Sequence, residues 1–186
     1  MSIRVHSPES RNTIQWASGT STEMFIYPAD GSFADRRFLF RISSATVEAE
    51  ESTFTFFEGI TRHLMILKGT LELIHEGRYT KQLQPYDADI FSGEWNTRSK
   101  GKVTDFNLML KDGATGSLTD HRISKDNPAS FNADTDYSFL FIAEGEFVLS
   151  SGEAVPAGYL LQLTDAQNVQ LAGDGHVVEI RVSLVD

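Results

Sequence analysis

Cysteine is absent from the 186-residue chain, proline occurs 5 times, and basic residues are scarce, with 16 Lys+Arg against 26 Asp+Glu for a formal net charge of −10. Without thiols there are no disulfide frameworks, cysteine zinc sites, iron–sulfur clusters or thiol nucleophiles. The acidic balance argues against non-specific DNA or RNA binding, because no general cationic surface is present to release counterions. Long hydrophobic runs are missing too. Stretches such as Leu64 to Leu67 and Phe139 to Ala143 fall far short of the roughly 18–20 apolar residues of a membrane helix. The opening MSIRVHSPESRNTIQW lacks the apolar segment of a secretory signal. A soluble, cytoplasmic protein with no nucleic-acid or membrane partner is expected.

The charge is unevenly spread. Residues 1–115 hold 13 basic and 15 acidic side chains, whereas residues 116–186 hold 3 and 11. The change coincides with KDGATGS (111–117), a run of turn-forming residues. Two halves are expected, 1–115 and 116–186, packed as one compact unit.

What the sequence does contain is strand periodicity. Runs such as FLFRISSATV (38–47), HLMILKGTLELIHEG (63–77), VTDFNLML (103–110) and YSFLFIAEGEFVLSSG (137–152) have the length of strands or hairpins. A helical turn is allowed only near 120–130 or 164–168. An all-β sandwich or barrel follows. LKGTLEL (67–73) and AEGEFVL (143–149) share a strand–x–Gly–x–strand pattern offset by 76 residues. Each precedes a proline turn into an apolar strand, PYDADIF (85–91) and PAGYLLQL (156–163). This order, present twice, resembles the core of the cupin barrel.

Typical cupins hold a metal with histidines and a glutamate at fixed distances from that glycine and proline, a donor set suited to divalent iron, manganese or zinc. Here those positions carry Thr55, Phe57, Arg62 and Ile90 in the first half, and Ser138 and Leu161 in the second. His6, His63, His75, His121 and His176 show no metal-ligand spacing, and the sequence points to no metal and no cofactor. No GxSxG elbow or phosphate-binding glycine loop is present.

Arg62 in place of a carboxylate ligand turns a cation site into an anion site, since a guanidinium pairs bidentately with a carboxylate. Arg41 interrupts an apolar strand and shares its face with Ser43; Asp105 and Asn107 likewise share one face. Polar groups inside a barrel need partners or a ligand. Arg41 is expected either to pair with Asp105 or Glu23 or to meet a ligand, and both can hold.

The ordered blocks WASGTSTEMFIYP (16–28), FLFRISSATV (38–47), STFTFFEGITRHLMILKGTLEL (52–73), LQPYDADIFSGE (83–94) and TDFNLML (104–110) resemble the HutD/Ves family of bicupins. Trp16, Gly19, Glu23, Arg41, Ser43, Phe54, Phe57, Gly59, Arg62, Asp105, Phe106, Asn107 and Met109 fit its pattern. The family's Thr-Arg-Glu is departed from, with Ser21 and Thr22 before Glu23. The resemblance implies two fused cupin-like β-barrels or sandwiches, the second half degenerate and smaller. It implies a role in limiting histidine utilisation by binding an intermediate such as urocanate or formylglutamate, or a link to cold and stress responses. It implies no established catalysis.

The reading that follows is a metal-free small-molecule sensor for a carboxylate ligand. Arg62, Arg41, Glu23, Asp105 and Asn107 are its polar residues, and Trp16, Phe57 and Met109 its apolar walls. The alternatives are a metal-independent isomerase or lyase using Glu23 or Asp105, and a structural or partner-binding protein with a satisfied polar core. Sheet edges and aromatic-rich faces are also compatible with a symmetric homodimer.

Overall fold

The computed structural model describes residues 3–164 and 168–185. In chain order its strands are β1 (Ile3–His6), β2 (Asn12–Trp16), β3 (Gly19–Tyr27), β4 (Phe40–Val47), β5 (Glu51–Thr53), β6 (Ile60–Gly69), β7 (Leu71–His75), β8 (Tyr79–Leu83) and β9 (Ala88–Ser92). They continue with β10 (Thr97–Lys100), β11 (Val103–Lys111), β12 (Thr115–Ile123), β13 (Ala129–Phe131), β14 (Tyr137–Leu149), β15 (Ala154–Pro156), β16 (Leu160–Leu163) and β17 (Val169–Ser183). Among the described residues there is no α-helix, and one 3₁₀ turn spans Pro8–Ser10. Segment 120–130, where a helical turn was allowed, is instead the end of β12, a Ser124–Asn127 turn and β13. Of the other allowed segment, 164–168, residues 165–167 lie outside the described residues. No described helix is long and apolar enough to cross a membrane.

The chain divides into two compact units, with the boundary between Ala114 and Thr115, inside KDGATGS. Arg11–Ala114 form one, joined by Val185. Its six-stranded sheet runs β2-β3-β4-β11-β6-β9 and its four-stranded sheet β5-β10-β7-β8. Alternation dictates the core: Val47, Leu64, Ile66, Phe91 and Val103 of the larger sheet pack against Leu71, Leu73 and Leu83 of the smaller. The same alternation aligns polar residues across three adjacent strands. Met109 faces Arg41 on one side and Arg62 on the other, and Asn107 faces Ser43 and Leu64.

The second unit comprises Thr115–Leu184 with the chain up to Ser10. Its sheet runs β1-β16-β14-β17-β12, with β13 on β17 and β15 on β14. The opening strand therefore serves this sheet, Ile3 opposite Leu163. Leu140, Ile142, Phe147, Leu161, Leu171 and Val177 are central to its core.

The repeat seen in the sequence has a structural cause. Gly69 and Gly145 adopt φ of 87° and 89°. A Cβ at Gly69 would lie 2.4 Å from the Lys102 carbonyl oxygen, and one at Gly145 1.9 Å from that of Asp174. In both units the strand bends where it crosses a neighbour at a distance only glycine permits.

A buried polar network braces the first unit. His75 Nδ1 is 2.8 Å from Thr97 Oγ1, and its Nε2 is 2.9 Å from Asp89 Oδ2. Asp89 also accepts from Lys81 Nζ at 3.0 Å and from the Tyr79 hydroxyl at 3.1 Å. Burial pushes the Asp89 carboxyl up, but hydrogen bonds from Lys81 and His75, the Lys81 charge and the Tyr79 hydroxyl outweigh it and hold the pKa below its ordinary value. A depressed folded-state pKa gives stability that is present above about pH 4 and lost as pH falls through the folded value. Asp89→Asn is expected to lower stability at pH 7 by about 1–3 kcal/mol, since His75 loses its charged partner. Urea titrations should also show a flatter acid limb than wild type; an unchanged limb would contradict this assignment.

Candidate functional site

The first unit holds an open cavity of about 260 Å³. Its polar floor is built by three neighbouring strands, with Arg41 and Ser43 from β4, Asp105 and Asn107 from β11, and Arg62 from β6. Trp16, Phe57 and Met109 are walls. Of the eight residues identified in the sequence, seven line the cavity. Glu23 stands behind: its Oε2 accepts from Arg41 Nε at 2.7 Å, while Arg41 Nη1 donates to Ser43 Oγ at 2.8 Å. Arg41 therefore pairs with Glu23, not Asp105. Burial lowers the Arg41 pKa, and the hydrogen bond and charge of Glu23 oppose that shift.

Arg62 is held differently. Its side chain is buried, 6% exposed, and its guanidinium carbon lies 4.5, 5.5 and 5.7 Å from the ring centres of Phe54, Phe91 and Phe57. These are cation–π distances, so aromatic faces take up part of the cost of burial. Nη2 donates to Asn107 Oδ1 at 3.3 Å, but the buried Nε has no hydrogen-bond partner. An orphaned donor of this kind costs about 1–3 kcal/mol. Burial lowers the pKa, the Asp105 charge opposes that shift and the Arg41 charge adds to it, leaving it at about 10. Arg62 remains a cation at neutral pH.

Asp105 is the opposing charge. Burial pushes its pKa up to about 6, against the Arg62 charge and hydrogen bonds from Asn107 and the Ala45 backbone. Asn107 Nδ2 donates to Asp105 Oδ1 at 2.8 Å, so Asn107 bridges the carboxylate and the guanidinium.

The residues do not suit the metal of ordinary cupins. Arg62 brings a buried cation to a ligand position, and Ile90 is 58% exposed, on the outer face of β9. Among the described residues no three His, Asp or Glu side chains converge as a donor set. The histidines are nevertheless less isolated than their spacing indicates. His75, His121 and His176 meet Asp89, Glu179 and Asp120 across strands. The last two pairs come from the register of β12 on β17 and the first from packing of one sheet on the other, neither of which linear spacing displays.

The second unit has its own polar cluster, unforeseen in the sequence. Glu179 Oε1 accepts from Arg181 Nε at 2.9 Å and its Oε2 lies 2.9 Å from His121 Nε2, while Arg181 Nη1 reaches Asp134 at 2.9 Å. Ser138, at the position matching Arg62, bonds Thr135. Arg181 commits Nε and Nη1 to protein carboxylates, unlike Arg62.

Sequence reasoning also missed Phe33, whose ring lies 4.1 Å from the Arg41 guanidinium, and Ser99 and Leu71, which the opposite sheet contributes to the cavity. Phe33 sits among turn residues without periodicity. Phe54 was legible within a motif, but its stacking on Arg62 was not.

Similarity to known proteins agrees with the architecture. HutD from Pseudomonas fluorescens SBW25, solved in a formate condition, is 19% identical with a TM-score of 0.81, covering 100% of both chains. A conserved protein of unknown function from Pseudomonas aeruginosa PAO1 is 20% identical with a TM-score of 0.84, covering 99% of this chain and 100% of that one. The bicupin fold extends to oxalate decarboxylase of Lactobacillus farciminis, solved as a formate complex, at 8% identity and TM-score 0.63, over 96% of this chain and 85% of that one. An uncharacterized 21.2 kDa protein in the hutC 3′ region of Pseudomonas putida is 37% identical over 76 residues, 39% of this chain. The match spans 40% of that relative's length. The HutD family model matches residues 9–179, and the chain belongs to the HutD family.

Proposed function

We propose that this protein binds a small carboxylate in the cavity of its first unit, with Arg62 as the anchoring cation, and acts as a regulatory sensor without turnover. The observation that carries this reading is Arg62, a buried cation that lines the cavity and whose Nε has no protein partner. A carboxylate oxygen is its natural acceptor, because charge-assisted hydrogen bonds are roughly twice as strong as neutral ones. Phe57, Trp16 and Met109 give the remainder of such a ligand apolar contact. Formate in the conditions or complexes of two structural relatives fits this chemistry. The hutC-region relative makes acids of histidine degradation, urocanate and formylglutamate among them, the first ligands to try.

Calorimetric titration with urocanate and formate should give saturable binding, tighter than with the dicarboxylate formylglutamate, whereas the corresponding amides should not bind. Equal binding of acid and amide would contradict a charge-anchored site.

One observation favours a second reading. Asp105, with a carboxyl pKa raised to about 6 beside a cationic anchor, is suited to exchange a proton with a bound acid near neutrality. Incubating the protein with the candidate acids in deuterated water and following them by NMR separates the two. Unchanged spectra are expected of a sensor; solvent exchange at carbon or a new product would establish an isomerase or lyase.

A further inference from the structure

Asp105 already occupies the field of Arg62 with a negative charge. Its side chain is buried, 4% exposed, on the inner face of β11, and Asn107 ties it to the guanidinium. The charged groups around it are few. Arg62 of the neighbouring β6, level with Met109, reaches it through Asn107, and Arg41 from β4 carries Glu23 of β3. Across the cavity the opposite sheet contributes Ser99 and Leu71, which are uncharged. A carboxylate ligand on Arg62 would therefore place two negative charges beside one uncommitted cation. Arg41 does not offset the second, because its Nε is committed to Glu23.

We propose that the cavity takes up a monocarboxylate and one proton together, the proton residing on Asp105. This rests on the carboxylate reading of the site and adds its linkage to pH. Two carboxylates in one buried site cannot both ionise freely, since each raises the pKa of the other. Protonation of Asp105 leaves Oδ1 free to keep its bond from Asn107 and creates an O–H donor within the cavity. The transfer is balanced: solvent supplies the proton, Asp105 receives it, and Arg62 is left to the ligand. Burial has moved Asp105 to about 6 before any ligand arrives, so the proton is readily gained near neutrality. The site thereby prefers monocarboxylates, since a second acid group would find no further uncommitted cation among the polar residues that line it.

The test is calorimetry of the full chain with sodium formate across about pH 5–8, repeated near pH 7.5 in buffers of different ionisation enthalpy. Affinity is expected to be flat below about pH 5.5 and to weaken about tenfold per pH unit above 6.5, with about one proton taken up per formate bound at the higher pH. Asp105→Asn, which resembles the protonated carboxyl, should bind formate with an affinity that no longer varies with pH. Saturable formate binding with no pH dependence and no proton uptake in wild type would overturn proton linkage and leave the carboxylate site standing. Absence of saturable binding at every pH would overturn the site itself. The wild-type proton count decides the matter even if the Asp105 variant fails to fold.

Discussion

Replacing Arg62 with methionine is expected to raise the dissociation constant for formate at least about 30-fold, measured by calorimetry near pH 6. Loss of one partner of a buried, hydrogen-bonded charge pair costs about 2–5 kcal/mol, and the lower figure is already close to that factor. Methionine keeps most of the volume and the contact with Phe54, Phe57 and Phe91, so the change isolates charge and hydrogen bonding from packing. The variant also leaves Asp105 without its principal cation. Its carboxyl is then expected to stay protonated at neutral pH, which spares the fold an uncompensated buried charge. Arg62→Lys should fall between the two: the charge persists, but a point-like ammonium cannot reproduce the planar fork. An unchanged affinity in Arg62→Met would remove Arg62 from the site.

Gly145→Ala is expected to destabilise the protein by about 3 kcal/mol or more in urea denaturation. Two terms of roughly 1–3 kcal/mol each combine, one for an L-residue held at positive φ and one for displacing packed structure. The second is severe because the new methyl would stand 1.9 Å from the Asp174 carbonyl oxygen, which belongs to backbone rather than to a flexible side chain. Relief would require β14 and β17 to separate where Gly145 faces Gly175. Gly152→Ala is the control, since it shares a positive φ of 86° but meets nothing within 4 Å. It should lose only the conformational part, about 1–2 kcal/mol. Equal losses in the two variants would mean that strand crossing at Gly145 is not the constraint.

Much of the architecture was legible because β-structure writes itself as alternation. FLFRISSATV and VTDFNLML each announced which residues share a face, and the structure places Arg41, Ser43, Asp105 and Asn107 accordingly. The repeated glycines marked the same bend in both units. Gly101 and Gly175, which oppose those bends, were not legible, because their role depends on a crossing strand rather than on their own neighbours. The same limit applies to the polar groups. The position of Arg62 could be counted from Gly69, but neither its orphaned Nε nor the bridge through Asn107 is encoded by spacing. Packing of one sheet on the other brings His75 to Asp89, and the register of β12 on β17 brings His121 to Glu179. Thr22, where the family has arginine, bonds Thr13 across β2 and β3. It alternates with Ser21, which lines the cavity, so position 22 lies on the other face of β3 and the departure leaves the floor unchanged.

The most direct measurement is a two-dimensional ¹H–¹⁵N NMR titration of arginine-labelled protein with formate, following the Arg62 Nε–H resonance assigned by its loss in Arg62→Lys. With a carboxylate seated on Arg62, this resonance should move saturably, with the same midpoint as the calorimetric titration. Saturable binding that leaves the Arg62 Nε–H unmoved would contradict the site.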